Sequence, residues 1–180
     1  GRMPAGSAAG SRPAGLAERW GPAHSTRGLI WLDSVEMTRR HPLLGVGPGN
    51  FGLYSAAYRD SLRQQQWRAL MGERDEIAYQ AHNEYLQAAA ETGLVGLAAF
   101  GLLLGGIGWC AQRAWQRHAP GSAARLWAVA AAAAVATALT HALVSFNLHD
   151  PPAAVHFWAG VGLLAALAVA PAAAVRAALG

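Results

Sequence analysis

Lysine is missing from this 180-residue chain, so all fourteen basic residues are arginine. Together with the heavy use of alanine and glycine, this reads as the imprint of GC-rich coding, and arginine number alone is no sign of a phosphate ligand. No basic run with interleaved aromatics occurs either, which argues against nucleic-acid binding. Cysteine is present once, as Cys110 inside an apolar run. It can form no internal disulfide, and no Cys/His spacing suited to a metal exists. Charge is scarce, at 13% of residues against 53% hydrophobic. That is unusually apolar for a soluble domain. The scarcity is also uneven. Residues 93–180 carry four arginines and Asp150, whereas residues 1–92 carry ten arginines and nine carboxylates.

The charge-poor half holds three long apolar runs, at 94–112, roughly 126–146 and roughly 153–175. A bilayer core of about 30 Å needs roughly 20 apolar residues at about 1.5 Å rise each, so each run can span. Pro171 is expected to end or kink the third. The alanines and glycines suit close packing between helices, and a soluble bundle would need a polar stripe that these runs lack. The expected fold is therefore all-α and polytopic, with 1–24 a flexible connector, 25–92 a helical extracytoplasmic loop and 93–180 a three-helix transmembrane region. The first short connection, "QRAWQRHAPGSAAR", carries Arg113, Arg117 and Arg125 without an acid. The second, "NLHDPP", carries Asp150 and no base. The positive-inside rule places the first connection and the C-terminus, with Arg176, in the cytoplasm. Residues 1–92 then face outward. No export signal precedes them, which leads to the expectation that this chain is the C-terminal part of a longer polytopic protein.

Within the polar half, "STRGLIWLDSVEMTRRHP" spaces its apolar residues for an amphipathic helix over about 26–40, with Ser25 available as a cap. Arg27 lies in its first turn, where a cation opposes the helix dipole. A surface-stabilising role is poor there, which favours a ligand role. "HPLLGVGPGNFG" alternates Gly45, Gly47 and Gly49 but fits no nucleotide-binding loop. It reads as a tight turn, or as a nest of backbone N–H groups for an anion. The stretch "AHNEYLQAAAETG" predicts a helix over about 79–91 with His82, Tyr85, Leu86 and Ala89 on one face and Glu84, Ala88 and Glu91 on another. Gly93 then lets the chain turn into the first span. His82 stands at the outer membrane–water boundary, either as a base for a hydroxyl or as an interfacial anchor, with Asn83 a cap in the second case. His141, His149 and His156 line the last two spans or their outer turn. A histidine bonded between helices is the plain alternative to a functional one there.

Read in order, "TRGLIWLDSVEMTRRHPLLGVGPGNFG", "AHNEYLQAAAETGLVGL" and "SFNLHDPPAAVHFWAGVGLL" resemble the O-antigen ligase-like family of bacterial membrane glycosyltransferases. That group includes O-antigen ligases, O-antigen polymerases and protein O-oligosaccharyltransferases. The resemblance covers roughly residues 25–170. It implies an inner-membrane enzyme with residues 1–92 on the periplasmic side. The reaction implied moves a glycan from an undecaprenyl-diphosphate donor to an acceptor hydroxyl on lipid A-core, protein or another glycan. Transfer would be inverting and without metal or cofactor. His82 matches the family's essential histidine and Arg27 the arginine of the loop's first helix, which would hold the diphosphate. Asn83 would orient His82, and Glu84 and His149 are weaker substrate-binding candidates. Other arginines of the family lie in upstream spans that this sequence does not contain, so the chain is either part of a larger protein or an inactive remnant.

Ligase, polymerase and protein-glycosylating activities stay open at this level. A non-catalytic membrane subunit of a polysaccharide assembly or export complex is the competing reading. A transporter would spread polar residues along its spans, whereas here they cluster at the outer ends.

Overall fold

The computed structural model describes residues 26–59, 61–71 and 78–179. The connector 1–24, the suggested cap Ser25 and the stretch 72–77 lie outside the described residues. All regular structure among the described residues is helical: α1 Thr26–Arg40, α2 Phe51–Tyr54, α3 Ser61–Met71, α4 Glu84–Arg117, α5 Ala123–His141, α6 Pro151–Val169 and α7 Ala172–Leu179.

Three of these, α4, α5 and α6, are long and apolar enough to cross a membrane, and the protein is a multi-pass membrane protein. They run up, down and up. The α4 end and the α5 start meet at the connection holding Arg113, Arg117 and Arg125, while the α5 end and the α6 start meet at 142–150. Ile107, Val135, Phe157 and Leu164 interlock in one layer between them, and Ala114, Ala128 and Leu167 in the next. Outside these seams the bundle turns large apolar side chains outward, among them Leu102, Leu126, Val155 and Trp158. Acyl chains match such a surface. At the arginine end Arg113 and Arg117 donate to the Ala168 carbonyl at 3.2 and 2.8 Å, satisfying the end of α6. The Arg125 guanidinium stacks over Trp115 at 3.6 Å. Pro171 separates α6 from α7, as its missing N–H requires.

The polar half folds around a core of Leu29, Ile30, Met37, Phe51, Trp67, Ala78, Ala81 and Ala90. The α1 helix occupies the span expected from its pattern, and buries Leu29, Ile30, Asp33, Ser34 and Met37 on one stripe. Asp33 and Arg59 form a fully buried ion pair at 2.9 Å, and the Arg59 guanidinium lies 3.9 Å from the Trp67 ring. A charge so placed is tolerable only with its partner in contact.

One detail joins the two halves. The long helix α4 is broken at Gly93, whose φ of 62° and ψ of −158° leave the helical region. The break removes the bonds that Leu94 and Val95 would donate to the Ala90 and Glu91 carbonyls. All four groups find replacements in the loop after α1. Val46 and Gly47 donate to Ala90 and Glu91 at 2.9 Å each, and Leu94 and Val95 donate to Pro42 and Leu43 at 2.8 and 3.2 Å. The glycine-rich turn is thus spliced into the interrupted helix. Glycine is needed on both sides of the splice. A Cβ on Gly45 would lie 2.3 Å from the Glu91 carbonyl carbon, and one on Gly93 would lie 2.5 Å from that of Leu43.

The same turn does act as a nest, and the anion it holds is internal. Gly49 and Phe51 donate their backbone N–H groups to the two oxygens of the Glu91 carboxylate at 3.0 and 3.1 Å. Gln87 adds a third bond at 2.8 Å.

Candidate functional site

The helix expected over about 79–91 starts only at Glu84. Residues 78–83 are irregular, so His82 does not share a helical face with Tyr85, Leu86 and Ala89. The reason is local. Asn83 is the N-cap: its backbone is extended and its side-chain oxygen accepts from Leu86 N–H at 3.0 Å. A cap ends the helix at itself, and the residue before it is free to take another conformation.

His82 takes a rare one, φ of 51°, the only positive φ outside glycine among the described residues. Neighbours hold it there. Ala81 N–H donates to the Gln87 amide oxygen at 2.7 Å, and the Ala81 carbonyl accepts from the Trp31 indole at 3.0 Å. On the other side the Asn83 amide donates to Leu143 O at 2.8 Å, and Glu84 N–H donates to Ala142 O at 2.9 Å. Such strain costs on the order of 1–3 kcal/mol and persists where surrounding contacts over-determine it. The ring makes no hydrogen bond among the described residues.

His82 lines an open cavity of about 500 Å³ at the end of the bundle opposite the arginine connection. His141 from the end of α5 and Asn147, His149 and Asp150 from the 142–150 turn line it too. Behind the wall lies Glu84. Its side chain is 3% exposed against 59% for His149. Glu84 Oε2 and His149 Nδ1 share a hydrogen bond at 2.7 Å, and Oε1 accepts from Leu148 N–H at 2.7 Å. The His149 ring also stacks on Phe146, with centroids 4.5 Å apart and planes 10° apart. The structure thus brings His82 and His149 to one cavity and sets Glu84 behind them as a support. Asn83 is committed to the cap and to Leu143, so it fixes His82 through the backbone.

Arg27 is exposed in the first turn of α1 and is not among the cavity-lining residues. Trp31, one turn further along the same face, is the residue that holds Ala81 beside His82. The start of α1 is therefore tied to the His82 segment.

Sequence reasoning did not anticipate Asn147. It is buried at the junction of this cavity with a second of about 420 Å³, lined by Ala134, Thr137, Ala138, His156 and Phe157 among others. Its amide donates to the Ala138 carbonyl at 3.0 Å. Lying directly before Leu148 and His149 in "SFNLHDPP", it could have been found only by treating that turn as part of the site. His156, by contrast, bonds to the Pro152 carbonyl of its own helix.

Residues 18–101 match the family model described as O-antigen ligase, a glycosyltransferase-type family that acts in surface polysaccharide assembly. The matched stretch includes α1, the spliced turn and the His82 segment. No curated protein and no solved structure matches the chain.

Proposed function

Starting from an O-antigen ligase family segment over residues 18–101, we propose that the protein transfers a glycan from an undecaprenyl-diphosphate carrier to an acceptor hydroxyl. The observation that carries this reading is His82: an imidazole strained to φ 51°, without a hydrogen bond among the described residues, at the wall of a cavity by the bundle end. A lipid carrier delivers its diphosphate and first sugar to that level, because the isoprenoid stays among the acyl chains. His82 activates the acceptor hydroxyl or orients it for attack at the anomeric carbon. In-line attack opposite the diphosphate gives inversion. Arg27, at the start of the helix tied to the His82 segment, holds the leaving diphosphate through its forked donors. No step in this scheme calls for a metal. In this proposal the cavity end of the bundle faces the periplasm and the arginine end the cytoplasm, an orientation supported by the positive-inside bias of the two connections.

Acceptors of the three related activities, lipid A-core, protein and growing glycan, all present a hydroxyl, and ligation is the reading the family description favours. The test is His82→Ala in the membrane-embedded protein. Transfer should be lost while insertion and expression stay intact; unchanged transfer overturns the role of His82. A non-catalytic assembly subunit would show no transfer in the wild type.

A further inference from the structure

Glu84 and His149 stand 65 residues apart in the chain and meet at 2.7 Å. We infer that they form a carboxylate–imidazole couple in which His149, not His82, receives the proton of the acceptor hydroxyl. The inference rests on the transfer reaction proposed above and divides its labour between two histidines.

The chemistry follows from the bonding. An ionised carboxylate only accepts hydrogen bonds, so the ring nitrogen facing Glu84 Oε2 carries the proton. The place suits a carboxylate. Glu84 is the first residue of α4, where the helix dipole favours an anion, and Leu148 N–H donates to its other oxygen. With Nδ1–H committed to Glu84, the lone pair of a neutral His149 resides on Nε2. The Phe146 stack fixes the ring plane, and the half-exposed His149 is one of the residues lining the cavity. This is the arrangement by which a buried carboxylate sets the tautomer of a catalytic histidine in hydrolases. Among the described residues no carboxylate bonds His82 in this way. His82 keeps the orienting role, with His141 and Asp150 the other titratable groups lining the same cavity.

In the step itself, the acceptor oxygen forms a bond to the anomeric carbon as its proton passes to His149 Nε2. The bond from that carbon to the diphosphate oxygen breaks, and the electron pair leaves with the diphosphate. His149 becomes an imidazolium stabilised by Glu84, and later releases the proton to water. Glu84 is a positioning residue, since it touches His149 and not the reacting atoms.

The experiment has two readouts on the full chain. ¹⁵N-histidine-labelled protein in detergent reports the tautomer of His149, assigned by its loss in His149→Gln. Membranes of cells that make their own undecaprenyl-diphosphate-linked glycan supply the donor for transfer assays. The wild type should show His149 as the Nδ1–H tautomer, and Glu84→Gln, which still accepts from Leu148 N–H, should move it toward Nε2–H. Glu84→Gln should lower kcat by about 100-fold or more with KM within about twofold, the range of a lost general base, and Glu84→Asp should restore part of it. An Nε2–H tautomer in the wild type, or unaltered kcat in both His149→Gln and Glu84→Gln, overturns the inference and leaves His82 as the base. Absence of transfer by the wild type overturns the proposed reaction instead, and the tautomer signal then tells whether the couple exists apart from it.

Discussion

Glu91 accepts the backbone N–H of Gly49 at 3.0 Å across the boundary between the polar half and the bundle. With Phe51 and Gln87 donating as well, one carboxylate organises the turn that is spliced into α4. Glu91→Ala leaves the buried Phe51 N–H and Gln87 amide, and the part-buried Gly49 N–H, without this acceptor. Each such loss costs about 1–3 kcal/mol, so a destabilisation of about 3 kcal/mol or more is expected. Thermal unfolding of the detergent-solubilised variant measures it. Glu91→Gln should cost less, because one oxygen remains.

The three glycines of the splice and the nest should differ sharply. Gly45→Ala and Gly93→Ala both meet backbone atoms at 2.3–2.5 Å and a positive φ, so the loop and the helix break must separate. Gly49 also has a positive φ, of 77°, but open space around it. Gly49→Ala should therefore cost about 1 kcal/mol of backbone strain and no more. Protease nicking between α1 and α4 should rise strongly in the first two variants and little in the third.

Glycine at position 82 separates strain from chemistry. His82→Gly relieves a left-handed conformation worth about 1 kcal/mol, so its melting temperature should rise above that of His82→Ala. Neither variant should transfer glycan. Equal melting temperatures in the two would show that the conformation stores no strain.

Breaking the buried pair in the polar half should be costly. Asp33→Ala leaves the Arg59 guanidinium inside without its carboxylate, at about 3–5 kcal/mol. Lost expression or a melting temperature lower by several degrees is the expected result, whereas Glu36→Ala, which removes the partly buried partner of the exposed Arg40, should change stability by about 1 kcal/mol or less.

Sidedness is open to chemical labelling because Cys110 is the single cysteine. In a Cys110→Ala background, Tyr79→Cys, near His82, should react with a membrane-impermeant maleimide added to intact spheroplasts. Ala119→Cys, in the arginine-bearing connection, should react only after lysis. The opposite pattern would invert the proposed orientation.

Much of this architecture was readable from the residues. The three spans follow from uninterrupted apolar runs, the α1 limits from its pattern and from Pro42, and the bends at Gly93 and Pro171 from what those residues permit. The start of α4 lies about five residues later than the pattern suggests, because "YQAHNEY" carries no strong breaker and the Asn83 cap competes locally with continued helix. From its residues the glycine-rich stretch is equally a plain turn, and the anion that makes it a nest is not legible locally, since Glu91 lies some forty residues further along the chain.

What the sequence settled alone is what needs only neighbours in the chain: hydropathy enough to span, periodicity enough for an amphipathic helix, a proline or glycine that cannot continue one. Tertiary packing decided the rest. It threaded the Pro42–Gly47 loop into the gap at Gly93, set His82 at a positive φ, and brought Glu84 against His149. Such pairings join groups dozens of residues apart, and no local propensity encodes them. They exist because every buried donor, acceptor and charge must find a partner once the helices have packed.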